Sequence, residues 1–182
     1  MKESEIKERN VLGDGGIRLT VRVHDASSTS APGILLHHGL ASSQRIWDLM
    51  VPHLIRRFRV VTYDARGHGL SAKPSRGYGF DPVVADARAV IRATKLRRPV
   101  IAGHSWGAMV ALELAARYPR SVGAAVLIDG GIGSLRETMD WPTAKAELAP
   151  PHLAGLHVQE FRGMIRTFLG GSLEITPEIE DI

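Results

Sequence analysis

Residues 100–119, VIAGHSWGAMVALELAARYP, constrain the fold more than any other stretch of the chain. An apolar run of strand type ends in Gly103-His104-Ser105-Trp106-Gly107 and passes straight into an amphipathic helical pattern. A hydroxyl carried on so sharp a strand-to-helix turn forces its residue into a strained backbone conformation. The positions two before and two after must be very small, so that strand and helix can approach each other. Gly103 and Gly107 meet that demand. Ser105 also sits at the start of the helix, whose partial positive charge favours a developing anion. Ser105 is therefore the candidate nucleophile, and the competing reading is a purely structural turn.

The rest of the chain repeats the alternation. "ILLHHG" (34–39), "RVVTYD" (59–64), "PVIAGHS" (99–105) and "VGAAVLIDGG" (122–131) read as short strands buried on both faces. Between them lie helical stripes. "SSQRIWDLMVPHL" (42–54) reads as one helix capped by Ser42 or Ser43, and another opens at Asp81-Pro82, with Asp81 as cap and an apolar face of Val83, Val84, Ala87, Val90, Ile91 and Thr94. A third runs from Trp106 to about Tyr118. Ahead of them "IRLTVRVHD" (17–25) alternates as a half-exposed strand after a charged, polar leader. The expectation is an α/β domain: a mostly parallel sheet with an antiparallel ribbon at its start.

Beyond Gly131 the pattern changes to helical stretches and proline breaks without a convincing strand. Phe161, Met164, Ile165 and Phe168 make one helical face, read as packing surface. The expected division is residues 1–131 as a core and 132–182 as the beginning of a helical cap.

Composition closes off other classes. The chain has no cysteine, which excludes disulfides, thiolate catalysis and cysteine-held zinc. Its 182 residues are 44% hydrophobic and 23% charged, enough for one globular core. The formal net charge is a mild +4. The basic clusters "RRFR" (56–59) and "LRRP" (96–99) read as solvated faces or helix-end charges, because no aromatic residues interleave with them. No nucleic-acid partner is expected. No apolar run approaches the roughly 20 residues of a membrane span, and the start lacks a signal-peptide core, so a cytoplasmic protein without a membrane partner is expected.

Two further clusters carry chemistry. In His37-His38-Gly39-Leu40 the glycine lets backbone come close to a substrate, and the Leu40 N–H is the best-placed partner for the Trp106 N–H in a two-donor oxyanion hole. His37 and His38 read as core or loop-bracing residues, since no metal-ligand spacing surrounds them; neither a metal nor a cofactor is expected. In Asp64-Ala65-Arg66-Gly67-His68-Gly69-Leu70-Ser71 the charged residues brace a tight loop, with Asp64 accepting from loop N–H groups or from Arg66.

The His-His-Gly turn, the D-x-R-G-H-G-x-S loop and the G-H-S-W-G elbow, in that order, resemble the α/β-hydrolase fold superfamily, closest to its serine esterase, lipase and peptidase-like members with a helical cap. The resemblance covers residues from about 11 to 131 and extends more loosely into 134–182. It implies an acyl-enzyme at Ser105, formed from a small ester, amide or thioester. Epoxide hydrolases and haloalkane dehalogenases of this fold place an aspartate at the elbow instead. It also implies a chain order of serine, then acid, then histidine. Downstream of Ser105 only His152 and His157 occur, and neither follows a strand. Asp129, ending the strand in "LIDGG", is a weak candidate acid. The reading expects the triad histidine and the last strands to lie outside this chain, an N-terminal portion inactive alone. Two alternatives stay open: a non-catalytic, receptor-like member of the fold, or a serine acyltransferase or perhydrolase.

Overall fold

The computed structural model describes residues 6–130 apart from Ser27 and Thr29, together with Asp140, Pro142, Thr143, His157 and Glu160. The chain divides into two compact units, Met1–Ile132 and Gly133–Ile182. Phe161, Met164, Ile165, Phe168 and His152 lie outside the described residues.

The first unit is a six-stranded sheet in the order β1-β2-β4-β3-β5-β6. Its strands are β1 (Ile6–Leu12), β2 (Arg18–His24), β3 (Gly33–His37), β4 (Arg59–Tyr63), β5 (Val100–His104) and β6 (Ala124–Ile128). The β1–β2 ribbon joins β4 antiparallel, and β4, β3, β5 and β6 run parallel. An α/β fold with an antiparallel start is therefore observed.

Every residue of β3 is buried because the sheet is covered on both sides. Leu35 and Val61 face one core with α2 (Phe80–Ala93) and α3 (Trp106–Arg117), through Val84, Val90, Val110 and Leu114. Ile34, Leu36 and Val60 face a second core built on Trp47 and Val51. Continuous apolar runs thus reflect two buried faces, not a helix. At roughly 25 cal/mol per Å2, each fully buried Leu or Val stabilises the fold by about 1.5–3 kcal/mol.

Four details differ from the expectations. The leader contains β1, an exposed ribbon strand whose only buried residue is Val11. Residues 42–54 are not one helix: a 3-10 turn at Gln44–Trp47, capped by Ser43, gives way to the short α1 (Val51–Leu54). Pro52 is the reason, since in a continuous helix its ring would collide with the carbonyl four residues back, whereas near the N-terminus of α1 it is tolerated. α2 starts one residue before Asp81, with Gly79 flanking it and no side-chain cap. Asp81 instead lies in the first turn and pairs with Arg117. Finally, β6 is the outer strand, and Val126 is 45% exposed.

Candidate active site

Ser105 lies between the end of β5 and the first residue of α3, with φ 53° and ψ −118°. A non-glycine residue with positive φ is strained, at a cost of roughly 1–3 kcal/mol. The turn is held by its surroundings. The Ser105 N–H donates to the Ile128 carbonyl at 2.9 Å, and its own carbonyl accepts from the Ala108 N–H at 2.9 Å. A Cβ at Gly103 would collide with the Gly107 backbone and lie 2.6 Å from the Ala108 nitrogen. One at Gly107 would lie 2.6 Å from the His38 carbonyl oxygen. Strand, elbow and helix meet here because these two positions carry no side chain.

The His37–Leu40 turn comes up beside the serine. A Cβ on Gly39 would lie 3.3 Å from the Ser105 Cβ and 3.2 Å from His104 Nδ1. Among the described residues neither the Leu40 nor the Trp106 backbone N–H donates to a protein acceptor. The first N–H groups of a helix have no partner inside it, and Trp106 opens α3. The next residue, Ala41, is also at positive φ, 52°.

The histidines form the wall of this turn. His37 Nδ1 donates to the His38 carbonyl at 2.9 Å, and His38 Nδ1 donates to the Gly39 carbonyl at 2.7 Å. A carbonyl only accepts, so both rings carry their proton on Nδ1. His38 Nε2 then accepts from the Ala65 N–H at 3.0 Å. Burial holds both rings neutral, His37 down at about 3 and His38 at about 4, with the neighbouring ring adding to the effect on His37. His37 meets Trp106 edge-on at 5.1 Å, and His68 stacks on Trp106 at 5.8 Å. The indole that follows the serine is thereby fixed on two sides.

Asp64 accepts from the Gln44 N–H at 2.8 Å and the Leu70 N–H at 2.9 Å, so it braces two loops. It is not the partner of Arg66. Arg66 instead forms a two-pronged buried pair with Asp86 of α2, at 2.6 and 2.8 Å, and Arg66 also donates to the Gly77 and Asp14 carbonyls. Asp86 escaped the sequence reading; its signal is a carboxylate standing among Val83, Val84, Ala87 and Val90 on the buried face.

Asp129 follows β6 at φ 50°, exposed. A Cβ on Gly130 would lie 2.7 Å from the Ser105 carbonyl oxygen, so this segment runs past the serine backbone. His157 belongs to the second unit, and its N–H donates to Glu160 at 2.7 Å. Among the described residues no group of three or more metal-ligating side chains gathers.

A family model described as the alpha/beta hydrolase fold matches residues 32–172, most of the chain. The chain belongs to that family. Among the relatives of this hydrolase-fold chain is a 2-(acetamidomethylene)succinate hydrolase from Mesorhizobium japonicum. It is 35% identical over 112 residues, covering 62% of this chain and 40% of that protein. A non-heme haloperoxidase from Rhodococcus erythropolis is 40% identical over 97 residues, covering 52% of this chain and 35% of the other. Epoxide hydrolase A from Mycobacterium thermoresistibile superposes with a TM-score of 0.62 at 27% identity, over 68% of this chain and 39% of that one. The chain thus spans less than half the length of each. Among the described residues no helix is long and apolar enough to cross a membrane.

Proposed function

We propose that Ser105 is the nucleophile of a serine hydrolase acting on a small ester, amide or thioester. One observation carries the reading: a serine with φ 53° at a strand-to-helix turn, with Gly39 against its Cβ. Ser105 Oγ attacks the substrate carbonyl carbon and loses its proton to a histidine base. The Leu40 and Trp106 N–H groups take up the negative charge on the carbonyl oxygen. Collapse expels the alcohol, amine or thiol, which receives that proton; water then cleaves the acyl-enzyme. So written, the reaction needs no metal or cofactor. Asp129 is the acid candidate within the described residues, and residues 132–182 are read as the beginning of a helical cap.

The test is labelling by a fluorophosphonate in the longest form the gene encodes. Ser105 becomes modified, and Ser105→Ala removes the label. An intact, folded wild-type protein that stays unlabelled overturns the reading in favour of a binding module. The haloperoxidase relative favours a second acceptor, hydrogen peroxide attacking the same acyl-enzyme. Peracid formed from acetate and hydrogen peroxide, and lost in Ser105→Ala, identifies that variant of the chemistry.

A further inference from the structure

The opposite end of the sheet carries an unassigned feature. Where β5 begins, the side chains of Arg88, Arg92, Lys95, Arg97, Arg98 and Arg120 border one groove of about 590 Å3. Ile91 and Leu96, both buried, form its floor. A second groove of about 450 Å3 shares Lys95, Leu96 and Arg97 and reaches Arg59 past residues 30–33. Among the described residues no carboxylate lines either groove. Asp25 pairs with Arg59 of the second groove at 3.1 Å and with Lys7 at 2.9 Å.

Five of these cations serve no contact among the described residues. There the side chains of Arg92, Lys95, Arg97, Arg98 and Arg120 make no ion pair or hydrogen bond, and all five are exposed. Arg88 lies over the Tyr118 ring at 3.7 Å. Cations commonly settle at helix C-termini to meet free carbonyls. Here the backbone already closes α2: the Lys95 N–H donates to the Arg92 carbonyl and the Leu96 N–H to the Ile91 carbonyl. Lys95 and Arg98 also hold positive φ, 56° and 43°, where glycine or asparagine is the easier choice.

We infer that this trough binds an oligophosphate anion, a short chain of linked phosphate groups. Arginines without acid partners suit phosphate oxygens, which they grip in pairs. The spread of charge over three chain segments and two adjoining grooves exceeds what one phosphate needs. A nucleobase finds no aromatic face to stack on, since no aromatic residue lines either groove among the described residues. A lipid surface has nothing to insert into, since none of the exposed large hydrophobic residues lines the trough. β5 enters beside the trough and leaves at Ser105, roughly 17 Å away at ~3.3 Å per residue. The inference is therefore independent of the chemistry proposed at the serine.

Sodium tripolyphosphate and a longer polyphosphate, titrated calorimetrically at low salt into the longest form the gene encodes, test it. Saturable binding is expected, tighter for the longer chain and weakening steeply as sodium chloride is added. Replacing three exposed cations together, Arg92→Gln, Arg97→Gln and Arg120→Gln, lowers the affinity by about tenfold or more. The control pair Arg45→Gln and Arg76→Gln, outside the trough, leaves it unchanged. Circular dichroism verifies that each variant is folded, and Arg92→Gln with Arg120→Gln replaces the triple variant if it is not. Absence of binding, equal affinity for orthophosphate, or equal loss in the control pair overturns the inference. Tighter binding of single-stranded or duplex DNA, per phosphate, also overturns it and gives the surface to nucleic acid.

Discussion

Both ends of the parallel sheet hold non-glycine residues in left-handed backbone, and they use that strain differently. At the end where strands leave, Ala41, Ser105 and Asp129 stand at φ 52°, 53° and 50°. Where β5 enters, Lys95 and Arg98 stand at 56° and 43°. The leaving end is backed by packed rings, His37, His38, His68 and Trp106, each in contact with the next. The entering end is a rim of solvated cations over a narrow apolar floor. The strained serine stands among packed rings that hold it in place, whereas the strained lysine and arginine stand among solvated cations. The same backbone device thus serves geometry at one end and field at the other.

The largest expected effect tests the geometric end. Ser105→Ala abolishes phosphonate labelling and lowers any acyl turnover by about ten-thousand-fold or more. Ser105→Gly loses the same chemistry but raises stability by about 1 kcal/mol, because glycine adopts positive φ without strain. Urea unfolding of the two variants measures this. If Ser105→Gly unfolds no later than wild type, the serine's conformation is not under strain and the comparison between the two ends fails.

Next in size are the supports around the elbow. Gly107→Ala forces a methyl into the His37 and His38 carbonyls and costs about 3 kcal/mol or more. Asp86→Asn leaves the Arg66 guanidinium buried with half its partner and costs about 3–5 kcal/mol. Denaturant midpoints compare both with a neutral change at the other end, Arg97→Gln, which shifts stability by less than about 0.5 kcal/mol.

These supports also show what a sequence can reveal. β3, β4 and β5 were legible because strands buried on both faces are unbroken apolar runs, and α2 because its buried stripe keeps a 3.6-residue period. The elbow was legible because Gly103 and Gly107 answer a local steric demand. β1 was not, since a charged, exposed ribbon strand takes its shape from pairing with β2 rather than from its own pattern. Pro52 broke a helix whose apolar stripe is otherwise continuous. The Arg66–Asp86 pair was hidden because no local spacing links two residues that meet only once α2 folds back over the loop. Roles for Leu40 and Trp106 were legible as positions; the ring stack that fixes Trp106 exists only in three dimensions.

Acid distinguishes the two ends more gently. His37 and His38 have folded values of about 3 and about 4, below the roughly 6.5 of an unfolded histidine. As pH falls below 6.5 the unfolded chain takes up protons that the folded chain refuses. Stability is therefore complete above pH 6.5 and is lost progressively down to the folded values. The two rings together predict a loss of roughly 3–4 kcal/mol between pH 7 and pH 5. His24, lowered by burial and by Arg22, acts in the same direction. Urea unfolding at both pH values measures the loss. His37→Phe makes the acid limb shallower, whereas neutralising Arg92 and Arg97 leaves its slope unchanged. Equal slopes in wild type and His37→Phe would detach the buried rings from the acid response.

The smallest effect sharpens the comparison most. Lys95 occupies the left-handed position just after α2, and the backbone bonds from Lys95 and Leu96 close the helix whichever side chain stands there. Lys95→Gly keeps those bonds, relieves the strain and raises stability by about 1 kcal/mol. It also removes one cation from the trough, so tripolyphosphate binding weakens while the fold grows stronger. Lys95→Asn separates the two contributions, since asparagine tolerates the same φ and is equally uncharged. Both variants should then bind alike and differ only slightly in stability. A Lys95→Gly chain that is more stable and binds tripolyphosphate undiminished would mean that the lysine's charge has no part in the trough. The strain at the entering end would then belong to helix termination alone, and only the serine end would put its strained residue to chemical use.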